Sequence, residues 1–101
     1  DRFDVHLGSQ HDAIVVATSH GIDKGGLLSG EEFITTTRAL DGDQSGLVRA
    51  DMVIFATQGN GAVWSVGSIA WPTSMTWNDC ENNVSKITEN VLKRFCDPAP
   101  V

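Results

Sequence analysis

Met52-Val53-Ile54-Phe55-Ala56-Thr57, then Gln58-Gly59-Asn60-Gly61, then Ala62-Val63-Trp64-Ser65-Val66-Gly67-Ser68-Ile69, is the stretch on which the fold turns. Two runs rich in apolar and β-branched residues flank a turn of Gln, Gly, Asn and Gly. Asn and Gly tolerate the positive φ that tight reversals need, so the stretch reads as a β-hairpin with strands over 52–57 and 62–69. The second run alternates Val63, Ser65, Gly67, Ile69 against Ala62, Trp64, Val66, Ser68, the pattern of a partly covered edge.

Upstream of the hairpin, residues 13–18 (Ala-Ile-Val-Val-Ala-Thr) form a continuous apolar run of strand length. Such a run fits a strand covered on both faces, and Ser19-His20-Gly21 closes it with turn chemistry. Residues 1–12 read as a loop. Residues 21–30, with four Gly, read as another. Glu31 to Arg38 mixes helix-favouring Glu with strand-favouring Thr, and the balance predicts a strand from about Phe33. Residues 39–46 read as a turn-rich loop. Downstream, residues 71–80 read as a loop carrying Trp71 and Trp77. Val84, Ile87, Val91, Leu92 and Phe95 then fall on one helical face. Asn82 or Asn83 caps that helix, Lys93 and Arg94 suit its negative end, and Pro98 prevents its continuation. The expected fold class is α/β: strands and a β-hairpin followed by a C-terminal helix.

The chain has 101 residues, room for one small domain or for part of a larger one. Asp1-Arg2-Phe3-Asp4 reads like the middle of a protein, so a segment of something longer is expected. The net charge of −6 offers no basic footprint for nucleic acid and would be repelled by anionic lipid. The longest apolar runs fall far short of the roughly 20 residues a membrane helix needs, and no secretory leader opens the sequence. The expectation is a cytoplasmic protein without nucleic-acid or membrane partners. Cys80 and Cys96 are too few for a disulfide scaffold, and they pair only if their loop and helix fold together.

Complete catalytic constellations are absent from the sequence. Asp41-Gly42-Asp43-Gln44-Ser45-Gly46 opens like a calcium loop, but position 9 is the cation Arg49 and position 12 is Met52, which has no oxygen to offer. His6, His11 and His20 make no metal-binding pair. His20 follows an expected buried strand, where open sheets place ligands; with Ser19 or Asp23 it would make a small acid/base cluster. It is the only catalytic candidate, and the bland alternative is a solvated loop histidine. Gly67-Ser68-Ile69-Ala70 lacks the second Gly of a nucleophile elbow. Trp71 and Trp77 would line a pocket, plug against another domain, or pack within the chain.

Arg49-Ala50-Asp51-Met52-Val53, Gly61-Ala62-Val63-Trp64-Ser65-Val66-Gly67-Ser68-Ile69-Ala70-Trp71 and Asn82-Asn83-Val84-Ser85-Lys86-Ile87-Thr88-Glu89-Asn90-Val91-Leu92 resemble the C-terminal end of the large (beta) subunit of the N,N-dimethylformamidase family. Leu7-Gly8-Ser9 and residues 13–19 are also similar, whereas 21–46 match poorly. The hairpin followed by a helix is similar to the last part of glutamine-amidotransferase-like domains. The resemblance implies that residues 1–101 are one C-terminal α/β segment of a larger subunit, part of a three-layer amidotransferase-like domain. It implies an amidohydrolase that splits small formamides into formate and amine, built from large and small subunits as a hetero-oligomer. It also implies an iron held by two Tyr and one Glu. This chain has no Tyr, and none of Glu31, Glu32, Glu81 or Glu89 carries a motif marking it as that ligand. No catalytic, cofactor or metal residue is therefore expected here: the segment is scaffold and subunit contact, with the remainder of the large subunit and the small subunit as its partners. The alternative is a non-catalytic ligand-binding or interaction module with its pocket near Ser19, His20, Trp71 and Trp77. A third possibility is an enzyme using His20 as base.

Overall fold

The computed structural model describes residues 1–22 and 46–99. The expected strand near Phe33, the calcium-like turn at 41–45, and Asp23, Glu31 and Glu32 lie outside the described residues.

Ala50–Ala56 (β2) is the central strand of a three-stranded antiparallel sheet, between Ile14–Ser19 (β1) and Ala62–Ser65 (β3). The hairpin expected from the sequence is present. Its reversal uses positive φ at Gly59 and Asn60, and the Thr57 amide donates to the Gly61 carbonyl at 2.8 Å. Val53 lies opposite Val15 on one side and Ser65 on the other; Ile54 lies opposite Ile14 and Trp64. Side chains alternate across a strand. One face therefore carries Asp51, Val53 and Phe55 with Thr18, Val15, Ser65 and Val63. The opposite face carries Met52 and Ile54 with Ala17, Ile14 and Trp64.

The second of these faces meets Trp71–Met75 (α1) through Trp64, and α1 packs in turn on Asn83–Cys96 (α2). Trp64 and Trp71 meet edge to face, 5.8 Å between ring centroids, and the Trp71 indole N–H donates to Thr88 Oγ1 at 3.0 Å. The sheet, α1 and α2 are thus joined through one side chain. Asn82 caps α2 by accepting from the Ser85 amide at 3.0 Å, and its Nδ2 donates to the Met75 and Trp77 carbonyls. Lys93 and Arg94 occupy the last turn of α2, as the sequence predicts. The other face of the sheet meets the N-terminal segment, which makes a short 3₁₀ turn over Val5–Leu7 capped by Asp4. Val48 and Met52 are the buried apolar residues among those described.

Three expectations need correction. Residues 71–80 are not a plain loop: Pro72 sits in the first turn of α1, where its missing N–H is no loss. A left-handed turn follows, with positive φ at Asn78, Asp79 and Cys80. Next, β3 stops at Ser65 rather than running to Ile69, because Gly67 adopts φ +65° where the chain passes against Asp1 and Asp51. Lastly, β1 is a strand but is not covered on both faces. Ile14, Val15 and Val16 are 65%, 44% and 57% exposed, with a bulge between Val15 and Ala17.

Candidate functional site

The most enclosed polar cluster lies at the start of β2. Asp51 is 4% exposed, although it is charged and stands in an otherwise apolar strand. A carboxylate survives such burial only when its oxygens are bonded. The Phe3 amide donates to Oδ2 at 2.8 Å, and Arg49 Nε donates to Oδ2 at 2.9 Å and to Oδ1 at 3.1 Å. Thr18, its cross-strand neighbour in register, supplies a further side-chain hydrogen bond. Burial works against ionisation of Asp51. The Phe3 amide, the Thr18 hydroxyl and the Arg49 guanidinium outweigh it, and the carboxyl is held below the ordinary carboxylate range.

The same cluster seizes the N-terminal segment through its backbone. Arg49 Nη2 donates to the Phe3 carbonyl at 3.2 Å, so Phe3 is held at both its N–H and its C=O. The Asp51 amide donates to the Asp1 carbonyl at 2.9 Å, and the Asp1 nitrogen donates to the Gly67 carbonyl. Three backbones converge here. A Cβ on Gly67 would stand 2.5 Å from the Asp51 carbonyl oxygen and 2.9 Å from that of Asp1, so only glycine fits. The arrangement clamps peptide. Its carboxylate is fully engaged and ionised, which leaves it nothing to offer as a base.

A cleft of about 420 Å³ opens beside this clamp, lined by Phe3, Ser9, Gln10, Val53, Phe55 and Ser65 among others. A second, of about 480 Å³, lies towards the helices and is lined by Ala17, Ser19, Met52, Val66, Trp71 and Ser74 among others. This second cleft unites Ser19 with Trp71, two of the four residues the sequence places in a pocket. His20 and Trp77 are not among its lining. Trp77 is 71% exposed on the left-handed turn, and Trp71 is committed to Trp64 and Thr88. Among the described residues, neither cleft unites His20 with the two indoles.

The remaining candidates are scattered. His6, His11 and His20 are exposed, and among the described residues no group of three His, Cys, Asp or Glu stands close enough to hold a metal ion. Cys80 and Cys96 are both exposed and free, so the disulfide considered from sequence is not made. Glu89 bridges Lys86, at 2.8 Å, and Lys93 on the surface of α2; these two hydrogen bonds bring its carboxyl down to about 2. Among the described residues, no helix is long and apolar enough to cross a membrane.

Asp51 and Arg49 carry no role in the sequence reading, although they stand within the stretch that resembles a family. The available signal was the Arg-x-Asp pair opening an apolar strand: a charge in such a strand must find a partner. What no sequence spacing reveals is that the partner is the backbone of Phe3.

Fold and clamp together define a mixed α/β unit, an antiparallel sheet with helices against one face and a tethered N-terminal segment against the other. No family model matches the sequence. Over 99% of its length the chain is 36% identical to the N,N-dimethylformamidase beta subunit of an Alcaligenes species, and over 100% it is 34% identical to that of Paracoccus aminophilus. It spans 13% and 14% of the length of those two relatives. The chain corresponds to a segment of the N,N-dimethylformamidase beta-subunit family.

Proposed function

We propose that this chain is the C-terminal α/β segment of the beta subunit of an amidohydrolase that cleaves small N-substituted formamides to formate and an amine. In this reading it supplies scaffold and contacts to the remainder of the large subunit and to a small subunit within a cytoplasmic hetero-oligomer, and the catalytic groups lie elsewhere in the large subunit. The observation that carries the reading is the end-to-end likeness to two dimethylformamidase beta subunits. The order of hairpin then helix supports an amidotransferase-like layer for the larger domain.

Donor chemistry supports the same division of labour. The iron set that the resemblance implies needs two Tyr, and this chain has none. Its residues do not fit that group, and no step of a hydrolysis runs through iron in this segment. The role left to it is mechanical: the Asp51 clamp and the Trp71 staple hold the sheet between its two coverings.

Two measurements test the proposal. Iron per mole of the purified chain, with its mass verified, is expected well below one; a value near one overturns the scaffold reading. Formate release from N,N-dimethylformamide by a beta subunit carrying this segment is expected to survive His20→Ala nearly unchanged. A loss on the order of 100-fold, with unfolding unaltered, would instead make His20 a catalytic base.

A further inference from the structure

We propose that the outer edge of β1 is the seam at which this segment joins the rest of its subunit, receiving a further β-strand from the remainder of the beta-subunit polypeptide. The inference rests on the reading of the chain as a segment, and deepens it by naming the surface and the kind of contact.

The first observation is topological. Among the described residues β1 is hydrogen-bonded to β2 alone and stands at one end of the order β1-β2-β3. Among the described residues nothing pairs with the backbone donors and acceptors of its other edge. The second is chemical. Strands that remain edges are blunted by Lys, Pro, inward charges or bulges, and of these β1 has only the bulge. Ile14-Val15-Val16-Ala17-Thr18-Ser19 has no charge and no proline, and only the bulge near Val16 interrupts it. Three successive apolar residues, Ile14, Val15 and Val16, are exposed, and because side chains alternate along a strand they leave apolar surface on both of its faces. Composition of this kind belongs to a strand inside a sheet.

Two facts select the occupant. The relatives are longer than this chain by about sevenfold, since it spans 13% and 14% of them, so abundant polypeptide of the same subunit is at hand. A second copy is disfavoured because each chain carries a net charge of −6, and pairing edge to edge would bring two such charges together. Strand addition gives main-chain hydrogen bonds for affinity, while Ile14, Val15 and Val16 supply side-chain contacts on either face.

Residue-resolved hydrogen exchange tests this on a full-length beta subunit carrying this segment and on the 101-residue chain. The informative amides are those of β1 that point away from β2. In the full subunit they are expected to exchange more slowly than in the isolated chain, on the order of 100-fold or more. Equal, fast exchange in the full subunit overturns the proposal. Protection that appears in the isolated chain and rises with its concentration, together with a doubled mass in light scattering, assigns the edge to a second copy and likewise overturns it. Protected β1 amides in a subunit that fails to release formate would sink the enzymatic reading and leave the seam standing.

Discussion

β1 and β2 lie side by side and have opposite environments. β1 is the more uniformly apolar of the two, yet Ile14, Val15 and Val16 face solvent. β2 carries an acid at its second residue, and that acid is more deeply buried than any apolar residue described. The difference follows from place in the sheet. β2 is flanked by strands, with α1 against one face and the N-terminal segment against the other, whereas among the described residues β1 has a neighbour on one side only. Burial here is set by what surrounds a strand, and composition alone misplaces both.

The sharpest way to break the contrast is Asp51→Ala. It strips the Phe3 amide, the Thr18 hydroxyl and Arg49 of their shared acceptor, and the expected cost is about 3 kcal/mol. The urea midpoint of the chain measures it, and exchange should quicken across residues 1–10. A midpoint within error of the parent would mean that the clamp contributes nothing.

Acid sharpens the same contrast without mutation. The carboxyl of Asp51 is depressed in the folded chain, so its contribution is complete above the unfolded value of about 3.9 and is lost as pH falls through the lower folded value. Stability should therefore hold from neutral pH to about 4 and fall below it. Asp51→Asn should shallow that acid arm. Glu89 is lowered to about 2 by lysine bonds that solvent screens on the exposed surface of α2, so changing it to Gln should leave the profile almost unaltered. Acid titration of parent and both variants by circular dichroism checks the order.

The smallest effect belongs to β1. Val16→Thr in the isolated chain should shift stability by less than about 0.5 kcal/mol, as for other exposed sites. In a full-length subunit the same change should cost about 1 kcal/mol or more, because there the methyl would leave a covered position. Thermal melts of both forms compare the two.

The elements legible in the sequence are those whose causes are local. α2 shows its apolar face, its Asn82 cap and its basic last turn within 15 residues of chain. The hairpin shows its Gly59-Asn60 reversal. α1 escaped because Pro72 and two Trp look like loop chemistry, while the anchor that fixes it, Thr88, lies 17 residues beyond Trp71. The end of β3 escaped because Gly67 is needed for an approach by Asp1 and Asp51, distant in sequence. The candidate pocket failed for a similar reason: Trp71 was already engaged by Trp64, and no spacing rule separates that indole from the exposed Trp77.

The backbone bond between Asp1 and Gly67 joins residues 66 apart in sequence, and the Phe3–Asp51 bond joins residues 48 apart. Contacts of that separation bear the largest loop-closure entropy in the chain and reward it only after both loops are shut. The hairpin and α2 close on themselves over short distances. By that measure the hairpin and α2 are expected to form first and the contacts of Asp1 and Phe3 last. The clamp at Asp1 to Phe3 thus ties the two ends of the described chain's longest loops together, and its closure is what completes the assembly.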